Sequence, residues 1–251
     1  MIEIAHRGRV AVMTLAHGKA NALDSELCTD IVARFEELKP STAEAVVLTG
    51  TAKIFSAGVD LKRAVEGGAA YLRDFLPVLS RAFATVFFYP KPVVAAVNGH
   101  AIAGGCVLAC AADRRLMALG TGTMGVTELL VGVPFPTIAF EIMRFATAPQ
   151  DFEETMFTGA AYAPEAARER GFVHELVAPE RLLDRAVAAA ETLAALSPAA
   201  FALTKMQSRR AVQDTLQRAG ASADVAVHEM WLDPDTLARM RDYVARTLKK
   251  S

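Results

Sequence analysis

The sequence predicts an α/β fold followed by an all-helical region. Short apolar runs alternate with segments of helical periodicity through the first two thirds of the chain, which is the pattern of an α/β core. From about residue 180 onward the chain carries mainly Ala- and Leu-rich helical patterns. No linker rich in Ser, Gly or Pro separates the two parts, so we expect a core of residues 1–195 with a helical region of residues 196–251 packed on it or on a neighbouring subunit.

The predicted strands are short apolar runs bounded by turn residues. The runs at residues 45–49 and 92–97 are continuously apolar, as expected of strands that are covered on both faces of a sheet. With the weaker candidates included, the predicted strands cover residues 2–4, 10–15, 45–49, 92–97, 115–118, 123–125 and 172–177.

The predicted helices follow from capping residues and from a period of 3.6. A first helix starts after Asp24, whose side chain suits an N-cap, and it ends before Pro40. Residues 69–88 are helical in pattern, and another helix begins near Gly104. The last helix carries an apolar stripe of Leu237, Met240, Val244 and Leu248.

Composition limits the classes of partner. The 251 residues carry a formal net charge of −1, which creates no large field that would draw the chain to nucleic acid or to anionic lipid. We therefore expect no nucleic-acid partner and no membrane association. The hydrophobic fraction of 53% is slightly more than a lone monomer would bury, which favours subunit interfaces.

One uncharged stretch is long enough to span a bilayer. Residues 92–112 contain no Asp, Glu, Lys or Arg, and a membrane helix needs about 20 apolar residues. An Asn-Gly-His sequence at residues 98–100 and a Gly pair at residues 104–105 interrupt the stretch. A buried strand, a tight turn and a buried helix explain it better than a membrane span does.

The cysteines indicate neither a disulfide framework nor a metal site. Cys28, Cys106 and Cys110 contain no CxxC pair, and no His lies near enough in sequence to complete a ligand set. We expect them to pack in the core. The N-terminus lacks the apolar segment of a signal peptide, so we expect a cytoplasmic location.

Two glycine-containing turns follow two of the predicted buried strands. The sequence FSAGVDL occupies residues 55–61, after the strand at residues 45–49. The sequence VNGHAIAGGC occupies residues 97–106, at the end of the strand at residues 92–97. Each turn alone is a weak signal, because Gly after a strand usually marks only a turn.

Together the two turns resemble the crotonase superfamily, which includes enoyl-CoA hydratases and enoyl-CoA isomerases. The resemblance extends over nearly the whole chain. Other matching positions are residues 21–23, 113, 127–128, 164–166, 171–173 and 197–205. It implies a spiral of ββα units in residues 1–195 with the acyl-CoA site, and a C-terminal helical region that forms trimers, which often pair into hexamers. Coenzyme A would be part of the substrate, and no separate cofactor or metal is implied.

The resemblance also implies an oxyanion hole, in which two backbone N–H groups stabilise the negative oxygen of a thioester enolate. It places these donors at Ala57 and Gly104, and losing one such donor costs about 3–4 kcal/mol. Gly104 should begin a helix, whose partial positive end adds to the field. Small residues at Ala57, Gly58, Gly104 and Gly105 would let the thioester lie against the backbone. The alternative is two ordinary structural turns.

This chain carries one of the two glutamates that are usual in the hydratases of this family. Family hydratases usually carry two glutamates; the second position matches Glu128, whereas the first matches Val107. Hydration calls for one group that activates water and another that protonates carbon, whereas isomerisation needs a single group that collects a proton and returns it. We expect Val107 to keep water away and Glu128 to act as base and then acid. The alternative for Glu128 is a solvated or salt-bridged side chain.

The remaining expected contacts concern coenzyme A. The resemblance implies that Lys19, Ala20, Val59 and Asp60 line the thioester and pantetheine channel, with Lys19 near a phosphate or simply solvated. Asp60 and Asp113 are expected at turns or helix ends. His100 has no partner by spacing, so we expect it to be structural.

Three functional hypotheses follow. The sequences AGGCVLAC and VTELLVGVPFPT and the C-terminal segment look closer to mitochondrial-type Δ3,Δ2-enoyl-CoA isomerases, so the first is an isomerase of fatty-acid metabolism. The second is a hydratase or another enolate-forming crotonase enzyme. The third is a non-enzymatic acyl-CoA-binding homologue. Acyl-chain length depends on which side chains close the pocket, with residues 64–88 as candidates, and stays open.

Overall fold

Nine strands in the part of the chain that the structure describes form two sheets. The computed structural model describes residues 1–247. The strands are β1 (Ile2–Arg7), β2 (Val10–Leu15), β3 (Ala45–Thr49), β4 (Ile54–Ser56), β5 (Val93–Val97), β6 (His100–Ile102), β7 (Arg114–Ala118), β8 (Met124–Gly125) and β9 (Glu175–Val177). The larger sheet has the order β1-β2-β3-β5-β7-β9, and the smaller sheet has the order β4-β6-β8.

The helices make up most of the remaining chain. They are α1 (Ser25–Leu38), α2 (Leu61–Phe87), α3 (Gly104–Cys110), α4 (Glu128–Val131), α5 (Thr137–Ala146), α6 (Phe152–Thr158), α7 (Pro164–Glu169), α8 (Leu182–Ala194), α9 (Pro198–Ser208), α10 (Arg210–Thr215), α11 (Ala221–Leu232) and α12 (Pro234–Thr247). Short 3₁₀ segments lie at Pro149–Asp151 and Pro179–Arg181, and a π-helical segment lies at Leu216–Gly220.

The elements repeat as a spiral of ββα units. In each of three successive repeats, one strand joins the larger sheet, the next joins the smaller sheet, and a helix follows: β3-β4-α2, β5-β6-α3 and β7-β8-α4. Neighbouring strands of successive repeats pair in parallel in both sheets. Because β3 and β5 are buried along their whole length, they carry the continuous apolar runs that parallel sheets require. The predicted α/β fold with ββα repeats is confirmed.

Two of the three strands of the smaller sheet were not predicted from the sequence; only β8, at the predicted residues 123–125, was. Strands β4 and β6 are three residues each and lie inside the two motifs that were read only as turns. Three residues are too few to establish a two-residue period. The predicted strand at residues 172–177 is also wrong at its start, because only Glu175–Val177 pairs with β7.

Aspartates cap the two helices that flank the first motif. Asp24 accepts a hydrogen bond from the N–H of Leu27 at 2.8 Å, which confirms the predicted start of α1. Asp60 accepts one from the N–H of Arg63 at 3.0 Å, so α2 begins at Leu61 rather than at residue 69 as predicted. A left-handed break at Gly68 (φ 57°) interrupts α2, which explains why the sequence pattern appeared to begin after it.

The C-terminal helices return over the core of the same chain. Helices α11 and α12 both pack against α2. Trp231 and Met240 are buried in the main core, and Leu237 packs against it. Val244 is half-buried, and Leu248, the last residue of the predicted stripe, lies outside the described residues.

The uncharged stretch at residues 92–112 folds as β5, β6 and α3, which are largely buried, as predicted. Within residues 1–247, no single helix has both the length and the apolarity needed to cross a membrane. The segments Pro179–Ala194 and Pro198–Ser208 meet those criteria only when taken together, and they are bent by 101° relative to each other.

Candidate active site

The two glycine-containing turns lie in direct contact. A Cβ atom added to Gly58 would lie 2.6 Å from the carbonyl oxygen of Ile102 and 3.0 Å from the backbone nitrogen of Gly104. Gly58 also has φ +81°, a conformation that residues with a side chain rarely adopt. Both the close approach and the backbone angle therefore require glycine, and they bring the ends of β4 and β6 together.

The first turn contributes one unpaired N–H, and it belongs to Val59. The N–H of Ala57 donates to the carbonyl of Ala20 at 3.0 Å, and the N–H of Asp60 donates to the carbonyl of Leu23 at 2.9 Å. Among the described residues, the N–H of Val59 has no hydrogen-bond acceptor, and Val59 lines a large cavity. The prediction that Ala57 provides the donor was therefore wrong, because its N–H is already occupied.

The second turn contributes the N–H of Gly104. Gly104 is the first residue of α3, and the first N–H groups of a helix have no acceptor within the helix. The N–H groups of Cys106 and Val107 donate to the carbonyl of Ala103 at 2.8 and 3.1 Å, whereas that of Gly104 has no acceptor within residues 1–247. The positive end of α3 therefore points into the same space as the N–H of Val59.

The cavity at these turns has a volume of about 780 Å³. Its charged wall comes from the loop before α1 and the beginning of α2, with Lys19, Asp60 and Lys62. Ala57, Val59 and Gly104 from the two turns line the cavity together with Glu128. The rest of the wall is mainly apolar and comes from α2, α4, α5 and the C-terminal helices: Leu79, Phe83, Val131, Val133, Pro136, Ala139, Trp231, Tyr243 and Thr247.

Glu128 is a buried carboxyl group on this cavity. It is the first residue of α4, its side chain is 9% exposed, and its Oε2 has no hydrogen-bond partner among the described residues. Burial raises the pKa of Glu128 to about 8, and hydrogen bonds from the backbone at Glu128 and Thr127 offset this only in part. The geometry contradicts the alternative of a solvated side chain and leaves a carboxyl group that can exchange a proton near neutral pH.

Only one other carboxylate lies on the described cavity wall. Asp60 uses its Oδ1 to cap α2 through the N–H of Arg63, as expected of a helix-end residue. Glu128 is therefore the one wall carboxylate whose oxygen is free of such a role.

The structure brings six of the predicted contact residues onto one wall and separates three others. Lys19, Ala20, Ala57, Val59, Asp60 and Gly104 line the cavity together with Glu128. Gly58, Gly105 and Val107 do not belong to its lining.

The three residues off the wall have packing roles. A Cβ added to Gly105 would lie 2.3 Å from the carbonyl oxygen of Ser56, so this glycine permits close approach of α3 to β4. Val107 is fully buried in the main core, because α3 presents its N-terminus rather than this side chain to the cavity. We therefore correct the prediction that Gly58, Gly105 and Val107 contact the substrate.

The cysteines and the remaining candidates pack as expected. Cys28, Cys106 and Cys110 are free and buried, and burial raises the pKa of the Cys106 thiol. His100 shares a hydrogen bond with Thr123 Oγ1 at 3.0 Å, which fits a structural role. Within the described part of the chain, no cluster of three or more His, Cys, Asp or Glu side chains could hold a metal ion.

Asp113 has a larger structural role than a turn residue. It accepts hydrogen bonds from Lys205 Nζ at 2.7 Å and from Arg209 Nη2 at 2.8 Å. This buried ion-pair network links the start of β7 to the C-terminal helices. Burial lowers the pKa of Lys205 to about 8. Sequence reasoning placed Lys205 in a matching segment but gave no sign of this contact.

The C-terminal part of the cavity wall was missed. Trp231, Tyr243 and Thr247 lie on the wall, although the sequence interpretation assigned the acyl-CoA site to residues 1–195. The indole N–H of Trp231 donates to the carbonyl of Pro134 at 2.9 Å. The contact joins residues 97 positions apart, so no local pattern could have predicted it.

Comparisons with known proteins identify the family of this chain. A family model described as enoyl-CoA hydratase/isomerase matches residues 5–242. A putative enoyl-CoA hydratase of Thermus thermophilus is 34% identical over 210 residues, 82% of each chain. Two structures from Mycobacterium tuberculosis are similar to this chain. One, named an enoyl-CoA isomerase, has 30% identity and a TM-score of 0.81 over 90% of this chain and 97% of that one. The other, named a probable enoyl-CoA hydratase, has 28% identity and a TM-score of 0.83 over 100% and 99%. Human mitochondrial Δ3,Δ2-enoyl-CoA isomerase has a TM-score of 0.93 over 100% and 99% of the two chains at 24% identity, a likeness of fold.

Proposed function

This chain belongs to the enoyl-CoA hydratase/isomerase family, and we propose that it is an isomerase that moves a double bond from C3 to C2 of an acyl-CoA. The observation that carries the proposal is a single buried carboxyl group, Glu128, on the same cavity as the unpaired N–H groups of Val59 and Gly104. This set suits one proton carried between two carbons of the same substrate.

The thioester oxygen is proposed to lie between the N–H groups of Val59 and Gly104. When a proton leaves C2, the electron pair of the C–H bond moves into a dienolate and negative charge collects on this oxygen. Two fixed donors and the positive end of α3 stabilise that charge more than they stabilise the neutral thioester, with each donor contributing about 3–4 kcal/mol. The site therefore favours the intermediate over the substrate.

Glu128 is proposed to move the proton. Its carboxylate accepts the proton from C2, and the resulting acid returns a proton to C4, which leaves the double bond between C2 and C3. Burial raises the pKa of Glu128 to about 8, which makes the carboxylate a stronger base than an exposed glutamate. The ionised form is the one that starts the reaction.

Hydration is the second candidate, because the Thermus thermophilus relative is named a putative enoyl-CoA hydratase. Addition of water requires a second group to hold and activate the water. The position that matches the other family glutamate is Val107, which is buried in the core, and Asp60 is occupied as a helix cap. These observations favour isomerisation. A non-enzymatic acyl-CoA-binding role is disfavoured because it gives no reason to bury the unpaired carboxyl group of Glu128.

The proposed substrate contacts follow the chemistry of the wall. Lys19 and Lys62 lie at its charged part and suit the phosphates of coenzyme A, while Ala20 and Val59 border the pantetheine arm. Large apolar side chains are exposed on the C-terminal helices α9 and α11, namely Leu203, Met206, Val225 and Met230. Such surfaces support the proposal of a homotrimer or a hexamer of two trimers.

The test is a product assay on 3-enoyl-CoA and 2-enoyl-CoA. We expect the wild type to convert the 3-enoyl substrate with little hydration of either, and Glu128→Gln to lower isomerisation by about 10²–10⁴-fold. Glu165→Gln, at an exposed glutamate away from the cavity, is the matched control and should keep wild-type activity. Hydration as fast as isomerisation, or full isomerisation by Glu128→Gln, would contradict the proposal.

A further inference from the structure

The part of the cavity lined by the C-terminal helices is suited to an acyl chain. Its residues are apolar or aromatic, and they come from α2, from the α4–α5 segment and from α11 and α12. Apart from Glu128 at the start of α4, the ionisable wall residues other than Tyr243 come from other elements, the loop before α1 and the beginning of α2. An acyl chain gains most by leaving water for the apolar part, which makes that part the acyl pocket.

Trp231 is the largest and most firmly held side chain of this pocket. Its side chain is 2% exposed, and its indole N–H donates to the carbonyl of Pro134 at 2.9 Å. Pro134 lies between α4 and α5, on the segment that begins with Glu128. The hydrogen bond therefore fixes the indole relative to the proton-transferring group.

The other C-terminal wall residues are held less firmly. Tyr243 is half-buried and Thr247 is exposed, both on the last described helix. Ala139, on α5, presents only a methyl group to the cavity. Phe83 is equally buried on this wall, but its ring lies next to Gly104, 3.4 Å from a Cβ added there. Among the C-terminal wall residues, only Trp231 combines bulk, burial and a fixed orientation, so a growing chain that passes Gly104 meets its hardest obstacle there.

We infer that Trp231 determines the maximum acyl-chain length by closing the acyl pocket. The inference rests on the proposed function, because it assigns this cavity to an acyl-CoA. A cavity of about 780 Å³ that also takes up the thioester and part of the pantetheine arm holds short and medium chains. Longer chains would have to displace the indole, breaking its hydrogen bond to Pro134 and disturbing the packing around it.

The test measures the dissociation constants of saturated acyl-CoAs of increasing length for wild type, Trp231→Ala and Trp231→Phe. Saturated acyl-CoAs have no double bond to move, so their binding can be measured without turnover. In the wild type, affinity should rise by about fourfold per methylene up to a medium-chain limit and then stop rising. In Trp231→Ala the limit should move to chains at least two carbons longer. The affinity for long-chain acyl-CoA, divided by the affinity for medium-chain acyl-CoA, should be at least about tenfold higher than in the wild type. Trp231→Phe removes the indole N–H but keeps a large ring, and it should keep the limit within two carbons of wild type.

A second variant covers the case in which Trp231→Ala does not fold. Ala139→Leu adds bulk to the same pocket, and it should move the limit to shorter chains while very short acyl-CoAs still bind. An unchanged length profile in folded Trp231→Ala, or in Ala139→Leu if the first variant is unfolded, would overturn the inference.

The length profile also separates this inference from the proposed reaction. A shifted limit in an enzyme that does not isomerise 3-enoyl-CoA would refute the isomerase proposal and leave the role of Trp231 standing. Normal isomerisation with an unchanged limit would refute the role of Trp231 alone.

Discussion

The reactive part of the cavity and its acyl pocket are built in different ways. The reactive part uses two backbone N–H groups and one carboxyl group, supplied by Val59, Gly104 and Glu128 at the ends of three successive ββα repeats. The acyl pocket uses side chains of helices that are distant in sequence, such as Phe83 and Trp231. In the proposed function, reaction chemistry thus depends on the ends of successive strands, whereas the range of substrates depends on how the helices close over them.

The comparison implies that the reactive part depends on backbone atoms more than on side chains at Val59 and Gly104. The sharpest test replaces a single amide by an ester, using the hydroxy-acid analogue of Val59. Losing this N–H should lower kcat by about 10²–10³-fold, which is the largest of the effects described below. The same replacement at Ala57 removes only the hydrogen bond to Ala20, so it should cost about 1 kcal/mol of stability and little kcat. A larger loss of kcat at Ala57 than at Val59 would restore the original assignment of the donor.

The buried carboxyl group predicts a pH dependence. The pKa of Glu128 is raised to about 8 and the carboxylate is the active form, so kcat/KM for the 3-enoyl substrate should rise with pH. Below pH 8 it should fall by about tenfold per pH unit. Binding of a saturated acyl-CoA over the same range is the control for a general effect of pH. A kcat/KM that is flat from pH 6 to 8 would show that another group starts the reaction.

The contact between the two turns predicts a stability difference between two glycines. Gly58→Ala and Gly68→Ala both place a side chain at positive φ, which costs about 1–3 kcal/mol. Nothing lies within 4 Å of a Cβ added to Gly68, whereas one added to Gly58 would lie 2.6 Å from the carbonyl oxygen of Ile102. The free energy of unfolding in urea should therefore fall by about 3 kcal/mol or more for Gly58→Ala. Equal losses in the two variants would mean that the turns are not in tight contact.

The raised pKa of Glu128 also predicts a pH-dependent thermal stability. A carboxyl group whose pKa is raised on folding contributes stability that is fully present below pH 4.5 and is lost as pH rises through about 8, because the unfolded state ionises first. Gln cannot ionise, so the melting temperature of Glu128→Gln should increase relative to wild type between pH 5 and pH 8. The melting temperature of the exposed Glu165→Gln variant should differ from that of the wild type by the same amount at every pH in this range. A constant difference for Glu128→Gln as well would indicate a carboxyl group with an ordinary pKa.

Much of the fold and most of the residues proposed for the reaction could be predicted from the sequence. The apolar runs that became β3 and β5, the cap at Asp24 and the position of Glu128 were readable because each depends on local pattern or on a motif. The sequence did not show which N–H group of the first turn is free of a hydrogen bond. The first turn pairs with residues 20–23 through Ala57 and Asp60, which turns the intervening N–H of Val59 away. That pairing exists only in the folded chain.

The acyl pocket could not be predicted for a related reason. Leu79 and Phe83, from the candidate range of residues 64–88, line the cavity, and their contact with an acyl chain stays a prediction. The position of Trp231 depends on a contact with Pro134, 97 residues away. Val107 shows the converse: its place in a motif suggested a substrate contact, but the direction of α3 puts its side chain in the core.

The central claim is that one carboxyl group carries a proton from C2 to C4 of the same substrate. The most direct measurement uses a 3-enoyl-CoA deuterated at C2, converted in ordinary water in a single turnover, with the position of deuterium in the product read by mass spectrometry or NMR. The account predicts deuterium at C4 in a substantial share of the product, because the buried Glu128 is shielded from solvent between the two steps. A product whose new C4 hydrogen comes entirely from water would contradict it.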